Sequence, residues 1–278
     1  MDIAIIGIGL IGGSLAKAIK LHTDHRIFGA DIDRQAIRQA LMMGAIDAEL
    51  DEEKLRGCAM VLVALYPGAI VEWITAHADS FAPDALVIDC GGVKGTVVEA
   101  LTPVALHRRW HYVGGHPMAG REYSGFRYSQ DDLFDHASMI LTPLPEEDLS
   151  VLQRCRDFFM DIGFRRVQFT TPRQHDEMIA FTSQLAHLVS SAYVKSPLAD
   201  RHKGFSAGSF GDMTRVARMK EDMWTELFLA NREALLPELN GIIQRLTAYR
   251  DTLEAGDAQA LEQMLREGRE IKEALEES

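Results

Sequence analysis

Little in this 278-residue chain points toward a membrane, a nucleic acid or a metal. Cysteine is scarce. Cys58, Cys90 and Cys155 are odd in number, widely spaced and form no CxxC pair. That excludes a disulfide framework and a zinc-ligand pattern, and it suits buried free thiols in a reducing compartment. Basic charge is in deficit: 29 Lys and Arg stand against 41 Asp and Glu, for a formal net charge of −12. An acidic surface argues against nucleic acid or anionic membrane as the main partner, although a few local cations can still hold an anionic substrate. No apolar run reaches the roughly 20 residues that span a bilayer. The chain opens on strand-like residues, Ile3 to Ile6, without a basic stretch, a hydrophobic segment and a cleavage site. The expectation is therefore a cytoplasmic protein. Low-complexity tracts and internal repeats are also missing.

What is present is an ordinary globular composition, 47% hydrophobic and 25% charged, in a chain long enough for two domains. The first half alternates short apolar runs with amphipathic segments. Ile3–Ile6, Ile27–Ala30, Met60–Leu65 and Leu86–Ile88 read as strands, with Tyr112–Val113 and Ser138–Leu141 as shorter ones. Leu10–Leu21 and Arg34–Met43 read as helices. Strands without polar alternation, separated by helices, indicate a parallel sheet covered on both faces, a doubly wound α/β domain. From about Arg173 the strand signal gives way to helical periodicity, in Gln174–Val194, Met213–Met219, Met223–Thr247 and Ala258–Glu276. Pro197–Gly211 reads as a loop, and Pro172 marks a boundary. The expected division is a Rossmann-type domain over 1–171 and an all-α domain over 172–278. Met223–Thr247 is too apolar for one covered face, so a homodimer through the C-terminal helices is expected.

Gly7-Ile8-Gly9-Leu10-Ile11-Gly12 fits GxGxxG after a strand and at the opening of a helix, the setting in which the pattern carries meaning. Gly7 permits the tight turn, Gly9 lets a pyrophosphate approach the backbone, and Gly12 lets the helix pack on the sheet. The helix N-terminus offers unpaired N–H groups to phosphate. Asp31 follows Gly12 by 19 residues, at the end of the second strand. A carboxylate there accepts from ribose hydroxyls and repels a 2′-phosphate, which favours NAD over NADP. The same residues also suit a tight strand–helix turn without ligand, and Asp31 a helix N-cap, a role Asp33 fits better.

A second glycine-rich turn, Asp89-Cys90-Gly91-Gly92-Val93-Lys94-Gly95, follows the fourth strand. Gly91 could let backbone approach a nicotinamide; Lys94 either contacts substrate or caps a neighbouring carbonyl. A third, Gly114-Gly115-His116-Pro117-Met118-Ala119-Gly120-Arg121-Glu122, places a histidine at the mouth of the sheet. Of the ten histidines, His116 is the candidate for proton transfer near neutral pH. In the helical half His175-Asp176 opens a long helix, and Ser183 and His187, four apart, share a face. Gly211-Asp212-Met213-Thr214-Arg215 begins another helix, with Trp224 nine residues beyond Arg215. An arginine fork suits a carboxylate. The plain alternatives are a surface arginine and a core tryptophan.

Taken in order along the chain, the GxGxxG turn with Gly13-Ser14, Gly91-Gly92-Val93-Lys94, Gly115-His116-Pro117-Met118-Ala119-Gly120, and Asp212-x-Thr214-Arg215 with Trp224 resemble the prephenate dehydrogenase family. The His-Pro-Met-Ala-Gly segment is the most specific of them. The resemblance implies a Rossmann domain followed by a dimerising helical domain. It implies oxidative decarboxylation of prephenate to 4-hydroxyphenylpyruvate with reduction of NAD, in tyrosine biosynthesis. By the same resemblance His116 engages the ring hydroxyl and Arg215 a substrate carboxylate, with His187 and Glu122 near the substrate and Asp212 and Trp224 organising that region. Two departures stand out. The family commonly has Ser where this chain has Gly92, and His-Leu-Pro-His where it has Gln184-Leu185-Ala186-His187. Arogenate dehydrogenase is the nearest alternative, with Glu122 or Asp212 as partner for an ammonium. A 3-hydroxyacid dehydrogenase or imine reductase on the same plan is more distant. An NAD-binding dimer without catalysis is the remaining alternative.

Overall fold

A computed structural model of the chain describes residues 1–121 and 123–277. The first part is a βα alternation: β1 (Asp2–Ile6), α1 (Leu10–His22), β2 (Arg26–Ala30), α2 (Arg34–Met42), β3 (Ala48–Glu49), α3 (Glu52–Leu55), β4 (Met60–Val63), α4 (Pro67–His77), β5 (Leu86–Asp89), α5 (Gly95–Ala105) and β6 (His111–Pro117). After it come β7 (Ser138–Pro143), α6 (Leu149–Asp161) and β8 (Arg166–Phe169). The strands form one sheet in the order β3-β2-β1-β4-β5-β6-β7-β8. The central strands are parallel and buried on both faces, which is why their sequences lack alternation. Sandwiched cores lie on either side, one containing Ile5, Leu15 and Leu62, the other Val61, Ile74 and Tyr112.

Two features depart from the expected all-parallel sheet. β7 runs antiparallel to β6, and β8 follows β7 in parallel. β8 carries Arg166 and Gln168 on a largely exposed edge, so it has no apolar run to announce it. Local chemistry explains the helix starts: Asp33 accepts from Gln35 N at α2, Asp148 from Ser150 N at α6, and Thr171 from Gln174 N at the next helix.

That helix is α7 (Pro172–Ile179), with Pro172 in its first turn. A π-helical turn over Ala180–Gln184 joins it to α8 (Leu185–Tyr193). Next come α9 (Gly208–Thr214), α10 (Glu221–Ala230), α11 (Arg232–Ala255) and α12 (Ala258–Glu277). The loop expected over 197–211 is thus partly helical, and Arg215 directly follows α9 and opens a 3-10 turn over Arg215–Ala217. The single helix expected over 223–247 is broken at Asn231. There the buried amide donates to Asp176 O (2.9 Å) and Gln184 Oε1 (2.8 Å), contacts that a surface-facing helical residue would forgo.

By packing, the chain divides into two compact units, the first from Met1 to Asn231 and the second from Arg232 onward. The second consists of α11 and α12 packed on each other, and it turns Leu236, Ile243, Leu246, Leu253, Leu265 and Ile271 to solvent. Cys58, Cys90 and Cys155 are free and buried, and burial pushes each thiol up to about 12. They are inert as nucleophiles. Among the described residues no helix is long and apolar enough to cross a membrane, and no cluster of His, Cys, Asp or Glu could hold a metal ion.

Candidate active site

Parallel strands bring their carboxyl ends to one edge, and the three glycine-rich turns all emerge there: Gly7 after β1, Cys90–Gly92 after β5, and His116 near the end of β6. Gly7 has φ +87°, and a Cβ there would lie 2.3 Å from Ala64 O. A Cβ at Gly12 would lie 2.0 Å from Gly7 O. Both positions demand glycine for packing. Gly9 differs: a Cβ there would meet nothing within 4 Å, so open space stands over the loop. Gly9 starts α1 without a side-chain cap, and the first turn, including Leu10, Ile11 and Gly12, has no acidic residue. Asp31 accepts from Ile8 N (2.7 Å) and Asp33 N (2.8 Å), which ties the end of β2 to the glycine loop. Its role is not to cap α2, because Asp33 does that. Arg34, the nearest cation in sequence, pairs with Glu49. Open backbone over Gly9, an uncapped helix start and a carboxylate beside them fit a dinucleotide with a free ribose diol.

Asp89 ends β5 fully buried and is saturated with donors. Gly91 N (2.8 Å) and Lys94 Nζ reach one oxygen; Tyr112 OH (2.8 Å) and Gly115 N (3.3 Å) reach the other. The Lys94 side chain is 0% exposed. It therefore neither faces a substrate nor caps a carbonyl; it neutralises Asp89 inside the protein, and a buried charge needs such a partner.

His116 is surrounded by protein but keeps a partly open edge. Its Nδ1 lies 2.8 Å from Nε2 of His175, whose Nδ1 lies 2.7 Å from Asp176 Oδ1. Asp176 also accepts from Lys94 N (2.8 Å) and Gly95 N (2.7 Å), at the start of α5. Burial, and then the neighbouring His175 and Lys94, hold His116 well below the ordinary histidine value, so its imidazole is neutral at pH 7. The other nitrogen, Nε2, points toward Gly92: a Cβ built there would be 4.0 Å away. That Cβ would also stand 3.2 Å from Leu227 Cδ2 of α10, which covers the turn.

Leu227 and Trp224 lie three apart on α10, on adjoining turns. Trp224 packs on the His187 ring at 3.9 Å between centroids. His187 donates from Nδ1 to Ser183 O (2.9 Å), so Ser183 contributes its carbonyl rather than its hydroxyl. The positive charge of Arg215 reaches His187 and, after burial, helps to hold its value below the usual one. The structure thus joins His187, Trp224 and Arg215 into a second cluster, linked through α10 to Gly92 and His116. Asp212 is exposed on α9. Glu122 lies outside the described residues. Gln184, one of the two departures, donates to Leu227 O (3.2 Å) and accepts from Asn231, so it anchors α10 over the turn.

Local sequence pattern alone gives no role to His175, Asp176 or Asp89. A signal existed for each. An acid ended the apolar run Leu86-Val87-Ile88, and a His-Asp pair followed the Thr171-Pro172 helix start.

Comparison with known proteins gives the same order of parts. The model of the prephenate dehydrogenase nucleotide-binding domain matches residues 15–168, and that of the prephenate dehydrogenase dimerization domain matches 171–267. A prephenate dehydrogenase of Bacillus subtilis is 30% identical over 285 residues, covering 98% of this chain and 76% of that protein. A cyclohexadienyl dehydrogenase of Zymomonas mobilis is 29% identical, covering 98% and 95%. The crystal structure of prephenate dehydrogenase from A. aeolicus in complex with hydroxyphenyl propionate and NAD+ superposes with a TM-score of 0.88 at 29% identity, covering 99% of this chain and 98% of that one. The chain belongs to the prephenate dehydrogenase family.

Proposed function

We propose that the chain is an NAD-dependent dehydrogenase that oxidatively decarboxylates prephenate to 4-hydroxyphenylpyruvate, acting as a homodimer. The observation that carries this reading is a neutral His116 at the carboxyl edge of the sheet, with Nε2 toward the Gly91-Gly92 turn and the dinucleotide loop on the same edge. The α1 N-terminus and the backbone at Gly9 hold the pyrophosphate, and Asp31 accepts from the adenosine ribose. NAD, when bound, supplies the acceptor for the hydride that leaves ring C4. His116 takes the proton of the C4 hydroxyl on Nε2. The C1 carboxylate departs as carbon dioxide, its bonding electrons complete the aromatic ring, and the proton held on His116 Nε2 returns to the C4 oxygen to give the phenol. Arg215 binds a substrate carboxylate. His187, with Nδ1 committed to Ser183 O, presents Nε2 as a hydrogen-bond acceptor beside it, and Trp224 fixes that ring. Exclusion of water by Leu227 over Gly92 leaves this chemistry to oriented groups.

Arogenate is the second reading. An acceptor at His187 Nε2 and the carboxylate of Asp212, three residues before Arg215, both suit an ammonium where prephenate has a keto group. The two readings separate when the protein is mixed with NAD and each acid, following absorbance of the reduced nicotinamide. The expectation is turnover with prephenate, a higher kcat/KM with NAD than with NADP, and a loss of kcat of about 10²–10⁴-fold in His116→Asn with NAD affinity retained. Turnover of arogenate alone moves the assignment to that substrate. No turnover of either, with NAD bound, leaves a non-catalytic dinucleotide-binding protein. Wild-type kcat in His116→Asn removes His116 as the base.

A further inference from the structure

His116 can serve as a base only if the nitrogen facing the substrate lacks a proton, and a neutral histidine has two tautomers. The surroundings decide between them, starting from a group whose hydrogen-bonding sense is fixed. Asp176 accepts backbone N–H groups on both oxygens, from Lys94 to Oδ1 and from Gly95 to Oδ2. A backbone N–H can only donate, so Asp176 is an acceptor throughout. His175 Nδ1, 2.7 Å from Oδ1, must then carry a proton. His175 is buried, and burial lowers its value below the ordinary one, so the ring has that single proton and its Nε2 is bare. That bare nitrogen lies 2.8 Å from His116 Nδ1, which must donate to it. His116 in turn has one proton, now placed on Nδ1.

We infer that His175 and Asp176 are positioning residues that hold His116 in the Nδ1–H tautomer and so keep its Nε2 free to accept a proton. This rests on the reading of His116 as the base. Gly92 gives the inference its weight, because it offers no hydroxyl to orient the ring from the Nε2 side. The ring is oriented from Nδ1 instead. The remaining polar groups around this core are otherwise engaged: Lys94 and Tyr112 both bind Asp89, and α10 presents apolar Leu227. The chain of contacts has one direction, set at the α5 N-terminus and ending at Nε2.

The decisive measurement needs no turnover. In protein labelled with ¹⁵N-histidine, ring nitrogen shifts separate protonated from bare nitrogens. His116 is expected to be protonated on Nδ1 and bare on Nε2 near pH 7.5, with and without NAD. In His175→Ala the donor loses its acceptor, and the spectrum is expected to move toward the Nε2–H form, with kcat down about 10²–10⁴-fold. A wrong-tautomer substitution in a serine-protease triad sets the scale, at about 10⁴-fold. NAD affinity should hold. His175→Gln is the control for folding and for direction: its amide N–H₂ can donate to Asp176 while its oxygen accepts from His116 Nδ1. It is expected to keep the Nδ1–H tautomer and to restore kcat to within about tenfold of wild type. A wild-type His116 protonated on Nε2 overturns the inference, as does an unchanged tautomer and kcat in His175→Ala. Wild-type kcat in His116→Asn, where the parent protein shows the Nδ1–H spectrum, overturns the base assignment instead, so the two failures are distinct.

Discussion

The sheet half and the helical half solve burial differently. Between Ile3 and Phe164 the chain buries nearly all its core, on both faces of one sheet. Beyond Pro172 only Ile179, Ala180, Leu185 and Leu235 are buried hydrophobics among the described residues, while Phe205, Leu236, Ile243, Leu246 and Leu253 are more than half exposed. Phe205 is 93% exposed. The buried charge pair of the sheet half, Asp89 with Lys94, is sealed from solvent, whereas among the described residues beyond Pro172 many large apolar side chains remain exposed. The contrast fits the match to a dimerization domain over 171–267, since exposed apolar helices are the kind of surface a second copy covers.

The largest expected effect breaks the helical side of this contrast. Ile243 and Leu246, three apart on α11, share a face and are exposed in the single chain. Replacing both with Asp places two charges per chain in a symmetric apolar contact. Sedimentation is expected to show a species of twice 31.0 kDa for the parent and 31.0 kDa for the variant. A parent that sediments as a monomer at micromolar concentration removes the dimer and with it the explanation of the exposed face.

The next effect tests the sheet side. Lys94 balances Asp89 where neither touches solvent. Lys94→Met leaves a buried carboxylate unpaired, a loss of about 3–5 kcal/mol of stability. Denaturant unfolding is expected to show it as a shift in midpoint. A variant that folds with parental stability but has a raised KM would return Lys94 to the substrate.

The same contrast explains what could be read from sequence. Gly7, Gly9, Gly12 and Asp31 were legible because one backbone segment builds their site, and local spacing encodes it. His116 was legible from its glycine-rich setting. Lys94 was misread because its meaning depends on Asp89, and only packing reveals that the ion pair is sealed. β8 was missed because an edge strand needs no apolar run. The break at Asn231 was hidden because its cause, Asp176 and Gln184, lies some fifty residues away. His175 gained a role only when α7 placed it against β6. Placement of the candidate residues in the sheet half follows from short motifs, and in the helical half from contacts between distant segments.

Arg215 is the helical half's test of function. A guanidinium that binds a carboxylate equally in ground and transition states contributes about 1.5–3 kcal/mol, so Arg215→Ala should raise KM roughly ten- to hundredfold with kcat nearly unchanged. An unchanged KM would separate Arg215 from the substrate. A loss confined to kcat would place its contact in the transition state instead.

The smallest effect is graded with pH and touches both halves. His116 and His175, beside the sheet, and His187, on α8, are all held below the ordinary histidine value of 6.5, each chiefly by burial. The sign follows from proton counting. Below 6.5 the unfolded chain takes up protons on these rings while the folded chain does not, so the unfolded state binds more and stability falls as pH falls. The fall continues down to the folded values and then levels. Catalysis obeys the same shift with a different onset. His116 must be neutral to accept a proton, so kcat should persist below pH 6.5 and decline only as pH passes through the lowered value of His116. Thermal midpoints should therefore begin to drop near pH 6.5, while kcat holds to lower pH. His116→Asn should weaken the first trend, since one of the three rings is gone, and remove the acid limb from the residual rate. An acid limb of kcat at or above 6.5 would contradict a buried neutral His116 as the base.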